Sequence, residues 1–123
     1  MTATILVIDD EALTRRLLNH CLTRAGYEVI EAENGHDALI KLETTHPDFI
    51  ISDVLMPGMN GFDTVQNIRD IPEFIHTPVI FLSSRADTEA ETKGLNSGAQ
   101  KYLHKPFGVP ELLAKIEELL PVC

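Results

Sequence analysis

Three short runs constrain this chain more than any other feature: Ile5-Leu6-Val7-Ile8, Phe49-Ile50-Ile51 and Val79-Ile80-Phe81-Leu82. Each is continuously apolar rather than alternating, which is how a strand reads when both of its faces are covered. Helical periodicity fills the intervals. Leu13, Leu17, Cys21, Leu22 and Ala25 mark the expected buried face of a first helix, closed by Gly26. Tyr27 to Ala32 reads as a second strand, placed at an edge by Glu28, Glu31 and Glu33. Ala38, Leu39 and Leu42 line a short helix, and Phe62, Val65 and Ile68 line another after a loop carrying Pro57, Gly58 and Gly61.

A weaker helix is expected over 86–96, with Gly94 inside it at a cost of ~1 kcal/mol against Ala. Lys101 to His104 forms a short fifth strand. The clearest helix comes after Lys105-Pro106, with Pro110 near its first turn, Leu112, Leu113, Ile116, Leu119 and Leu120 on one face and Pro121 ending it. Strands alternating with helices mean a parallel sheet covered on both sides. The expected architecture is therefore α/β, a flavodoxin-like doubly wound five-stranded parallel sheet of order 2-1-3-4-5 with five helices.

Residues 1–123 suit one domain of ordinary globular composition, 44% apolar and 24% charged. Nineteen acidic against ten basic side chains leave a net charge of −9, which disfavours direct nucleic-acid binding. Cys21 and Cys123 make no disulfide framework, and Cys21 is expected as a buried reduced thiol. No stretch approaches the ~20 apolar residues of a membrane span, and the start lacks the pattern of a signal peptide. A cytoplasmic setting is expected.

The residues that end the central strands are Asp9-Asp10, Asp53, Ser83 and Lys105, and the fold places strand ends on one rim. Asp9, Asp10 and Asp53 would bring three carboxylates together at the crevice where such sheets bind ligands. Like charges ~4 Å apart repel by ~4 kcal/mol at an effective dielectric near 20, so a cation must offset them. Oxygen donors in an open cleft suit Mg²⁺, while the lack of neighbouring Cys or His disfavours zinc. Mg²⁺ and Lys105 together balance the three carboxylates, leaving a neutral pocket suited to receiving a phosphoryl group. Each residue alone has a plainer use: Asp10 or Ser83 as a helix cap, Asp53 in a turn, Lys105 in solvent. Their coincidence on one rim favours the pocket.

These residues carry a resemblance. The chain resembles a bacterial two-component response-regulator receiver domain (CheY-like) over nearly its whole length. It does so through Asp9-Asp10-Glu11, the segment from Asp53 to Gly61, Leu82-Ser83-Ser84, Gly94-Leu95 with Gly98-Ala99, and Tyr102 to Phe107. The resemblance implies that Asp53 accepts a phosphoryl group from a sensor histidine kinase or a histidine phosphotransfer protein. It implies Mg²⁺ ligation by Asp10, Asp53 and the Leu55 backbone carbonyl, with Asp9 contributing, often through water. Lys105 would pair with the phosphoryl oxygens and the Ser83 hydroxyl would bond one of them.

By the same resemblance the protein catalyses only its own phosphorylation and dephosphorylation, and is otherwise not an enzyme. Tyr102 would turn inward on activation and remodel the surface of the fourth helix, fifth strand and fifth helix, where a protein partner or a second copy would dock. Ser83 stands where Thr is commoner, and Gln100-Lys101 where an acidic pair is frequent. Leu55 and Arg85 flank the site, and an apolar Leu55 with a long Arg85 implies slow self-dephosphorylation.

A haloacid-dehalogenase-like phosphatase also uses a nucleophilic Asp with Mg²⁺, but it needs Asp-x-Asp after the first strand, and position 11 is Glu. A receiver-like binding module that is never phosphorylated is the other alternative, weakened by the presence of every residue the chemistry needs. Met1 close to the first strand favours a stand-alone protein over an excised receiver of a longer regulator or hybrid kinase.

Overall fold

The computed structural model describes residues 3–54, 56, 58–83, 101–104 and 108–119, with only the backbone of Ser83, Lys101, Tyr102 and His104. Five strands, β1 (Thr4–Ile8), β2 (Glu28–Ala32), β3 (Phe49–Asp53), β4 (Val79–Ser83) and β5 (Lys101–His104), form one sheet. Its order is β2-β1-β3-β4-β5, and every pairing is parallel. The order expected from the alternating pattern is the one observed. Four α-helices lie among the described residues: α1 (Ala12–Arg24), α2 (Gly35–Lys41), α3 (Gly61–Arg69) and α4 (Val109–Leu119). The last of these is the fifth helix of the sequence reading; the helix expected over 86–96 lies outside the described residues.

Alternation along the strands divides the core in two. Leu6, Ile8, Ile50, Val79 and Phe81 face α2 and α3, where they meet Ala38, Leu42, Phe62, Val65 and Ile68. Ile5, Val7, Phe49, Ile51, Ile80 and Leu82 face the other way, against Leu18 and Leu22 of α1 and Leu112 and Ile116 of α4. The continuous apolar runs are therefore buried on both sides. Among the described residues β2 pairs only with β1, so its glutamates do mark an edge.

The first helix corrects the sequence reading. Its buried leucines are Leu18 and Leu22, whereas Leu13 and Leu17 are 75% and 60% exposed. The helix is rotated so that Arg15, paired and half-buried, takes part of the inner face. Cys21 is a free thiol and only half-buried.

Local chemistry sets the helix ends. Asn34 and Asn60 accept hydrogen bonds from the amides of Asp37 (2.7 Å) and Asp63 (2.9 Å), capping α2 and α3. Arg69 donates to the carbonyls of Phe74 and Thr77, both at 2.7 Å, tying the 3₁₀ turn Pro72–Phe74 back to α3. Burial lowers the pKa of its guanidinium. No described helix is long and apolar enough to cross a membrane.

Candidate functional site

The register of the central strands builds the site. Ile8 lies opposite Ser52, so Asp9 emerges beside Asp53 at the carboxyl ends of β1 and β3. Asp53 in turn lies opposite Leu82, and β4 ends one residue later at Ser83 on the same rim. Asp9, Asp10 and Asp53 can each present a carboxylate oxygen within 4.8 Å of the others. Asp9 is 1% exposed, Asp53 is half-buried and Asp10 is open to solvent.

The loop after β1 is fixed atom by atom. The Asp9 amide donates to the Ala32 carbonyl (3.1 Å), continuing the β1–β2 ladder one residue past the strands. Oδ1 of Asp9 accepts from the Glu11 amide (2.9 Å), turning the chain into α1. The Asp9 carbonyl accepts from an Arg15 guanidinium nitrogen at 2.7 Å. The N-cap residue of α1 is Glu11, not Asp10, and the Glu11 side chain makes no capping hydrogen bond. Asp10 is therefore not spent as a cap and is left facing the cleft.

Asp53 is held from the other side. The Val54 amide donates to the Leu82 carbonyl (3.1 Å), and the Gly61 amide donates to the Val54 carbonyl (2.8 Å). This folds the loop back so that α3 starts directly against the end of β3. Gly58 supports the turn with φ of +77°, in the left-handed region that glycine tolerates. The Thr64 hydroxyl donates to the Asn60 carbonyl (2.8 Å), securing the first turn of α3.

Three carboxylates this close, one of them almost wholly buried, are stabilised by any cation that enters. The donor set is all oxygen, which fits a hard divalent ion such as Mg²⁺ and offers zinc no soft ligand. The structure thus brings together Asp9, Asp10 and Asp53. Leu55, Arg85 and Lys105 lie outside the described residues, as do the side chains of Ser83 and Tyr102. Sequence reasoning missed Arg15. Its signal was present, an arginine in the first helical turn after an acidic pair with an acidic edge strand to follow, but only the α1–β2 contact reveals it.

A family model for the response regulator receiver domain matches residues 5–117. The chain is 40% identical over 117 residues to Protein PilG of Pseudomonas aeruginosa, covering 95% of this chain and 87% of that protein. It is also 40% identical to an uncharacterized transcriptional regulatory protein, YrkP of Bacillus subtilis, over 94% of this chain but 48% of that protein. The chain thus spans about half the length of YrkP and most of PilG.

Among solved structures, the chemotaxis protein CheY4 of Vibrio cholerae is similar, with a TM-score of 0.94 and 37% identity, covering 98% of this chain and 100% of that one. The receiver domain of the sensor histidine kinase PA1611 of P. aeruginosa, solved with a magnesium ion coordinated in its active-site cleft, has a TM-score of 0.88. It is 25% identical, with 97% of this chain and 98% of that one covered. With the strand order, the acidic rim and these likenesses in agreement, the chain belongs to the response regulator receiver domain family.

Proposed function

We propose that Asp53 is the phosphoacceptor of a two-component phosphorelay, and that residues 1–123 act as one receiver unit. The observation that carries this reading is the convergence of Asp9, Asp10 and Asp53 oxygens within 4.8 Å at the carboxyl rim. A carboxylate oxygen of Asp53 attacks the phosphorus of a phosphoimidazole. The P–N bond breaks, the imidazole leaves with its electron pair and takes up a proton, and an acyl phosphate forms on Asp53.

Asp10, Asp53 and the Leu55 carbonyl would hold Mg²⁺, with Asp9 assisting, and the ion would neutralise charge on the transferring oxygens. Lys105 would pair with the phosphoryl group and the Ser83 hydroxyl would donate to it. Rigid support of Asp53 by the Val54 and Gly61 hydrogen bonds favours in-line attack, since positioning supplies most of what such transfers need.

The partners that follow are a sensor histidine kinase or histidine phosphotransfer protein as donor, and a protein or second copy at the face that the resemblance assigns to the expected fourth helix, β5 and α4. The charge of −9 argues against direct contact with nucleic acid. A cytoplasmic setting goes with this reading. Beyond forming and hydrolysing its own acyl phosphate, the protein turns over no substrate in this reading. Leu55 and Arg85 would shield that acyl phosphate from water.

Incubation with a small phosphodonor and Mg²⁺ tests the proposal. Intact mass should rise by one phosphoryl group, and Asp53→Asn should abolish the gain. An unmodified wild-type protein, or an equally modified variant, would overturn it.

A further inference from the structure

The geometry points to Arg15 as a positioning residue for the acidic pocket, acting by fixing the peptide that joins Asp9 to Asp10. This rests on the cation-binding reading of that pocket. Arg15 projects from the first turn of α1, and its side chain is 16% exposed. Its Nε contacts Oε1 of Glu31 on the edge strand β2 at 3.3 Å, while a terminal nitrogen donates to the Asp9 carbonyl at 2.7 Å. One planar guanidinium thus spans from the edge of the sheet to the loop that carries two of the three carboxylates.

The carbonyl it holds belongs to the Asp9–Asp10 peptide, so its direction sets how the Asp10 side chain leaves the backbone. Asp9 is tied independently through its amide and its Oδ1. Asp10 is exposed, and its bearing on the pocket depends on the plane of that peptide. Glu31 is itself held for the task. Its Oε2 accepts from Asn19 Nδ2 at 2.8 Å, and its backbone carbonyl accepts from Lys41 Nζ on α2.

The fork geometry matters because two separate guanidinium nitrogens reach the carboxylate and the carbonyl, whereas all three lysine donors sit on one nitrogen and lack that fixed planar spacing. Groups that orient metal ligands at one remove typically alter affinity about 10–100-fold when deleted.

Mg²⁺ affinity by calorimetry, on the full chain with no phosphodonor present, tests the inference. Arg15→Ala and Arg15→Lys should each weaken Mg²⁺ by about tenfold. Asn19→Ala, which removes the other bond to the Glu31 carboxylate and leaves Arg15 on the Asp9 carbonyl, should stay within about twofold, because it does not touch the Asp9–Asp10 peptide. Amide exchange in metal-free buffer should speed up locally at Asp10 and Glu11 in both Arg15 variants, with the strand amides unchanged. Arg15→Lys guards against simple unfolding of the alanine variant.

Wild-type affinity in the Arg15 variants overturns the inference alone. So does full rescue by lysine, or an Asn19→Ala loss equal to that of Arg15→Ala. Failure of the wild-type chain to bind Mg²⁺ overturns the pocket reading itself, and this inference with it.

Discussion

A β carbon added to Gly61 would lie 2.1 Å from the backbone carbonyl oxygen of Asp53 and 3.0 Å from Cα of Val54. Those neighbours are backbone at the end of the central strand β3 and of the residue after it, and cannot swing aside like a side chain. Gly61→Ala should therefore cost about 1–3 kcal/mol through overpacking. Relief would come by displacing Asp53, so phosphoryl acceptance should fall by up to about 100-fold, the scale of a 1 Å misplacement. Gly58→Ala is the contrast: among the described residues nothing lies within 4 Å of its added carbon, but its φ is +77°. It should lose only about 1–2 kcal/mol from the left-handed conformation and keep its phosphoryl acceptance. Thermal melts and mass-detected phosphorylation rates of both variants check this.

Clustered like charges make a second prediction, with opposite signs in two buffers. Carboxylate oxygens within 4.8 Å repel when no cation is bound. Asp53→Asn removes one charge, so in chelator the variant should melt above wild type, by an amount below the ~4 kcal/mol upper scale for such a pair. Adding Mg²⁺ should raise the wild-type melting temperature, by about 2.7 kcal/mol of stability at one hundred times the dissociation constant. The variant should respond less. A wild-type midpoint that ignores Mg²⁺ would falsify the cation reading.

The strands and the acidic rim were legible in the sequence because each leaves a local mark. A strand covered on both faces must be apolar throughout, and Ile5–Ile8 or Val79–Leu82 cannot be much else. The parallel register then carries Asp9 and Asp53 to one place with no further information needed. The face of α1 was not legible. Leu13 and Leu17 form one stripe, Leu18 and Leu22 another about 100° away, and periodicity alone cannot choose between them. The choice is made by Arg15, whose pairing with Glu31 lets a charged side chain occupy the inner face. That pairing spans strand and helix, so no local pattern records it.

Alkaline pH gives a third prediction. Burial, and secondarily the nearby Glu117 carboxylate, raise the pKa of Tyr27 above its ordinary value of 10.0. The folded state therefore holds the phenolic proton after the unfolded chain has lost it. Stability from this source is fully present below pH ~10 and falls as pH rises toward the folded pKa. Denaturant melts across that range should show the decline, and Tyr27→Phe should flatten it. Glu117→Gln should flatten it less, since burial is the larger cause.

The helix register itself can be read out. Leu18 is 4% exposed and belongs to the buried cluster under α1 and α4 that includes Val7, Ile51 and Ile116. Leu18→Ala leaves a cavity there and should cost about 2–5 kcal/mol. Its neighbour Leu17 is 60% exposed, and Leu17→Ala removes contacts mostly with water, so the change should stay within about 0.5 kcal/mol. Alanine keeps the helix propensity of either site, so backbone effects do not confuse the comparison. Urea melts of the two variants decide it. Equal losses, or a larger loss at Leu17, would mean that α1 sits rotated by about one residue, which would also carry Arg15 away from Glu31 and the Asp9 carbonyl.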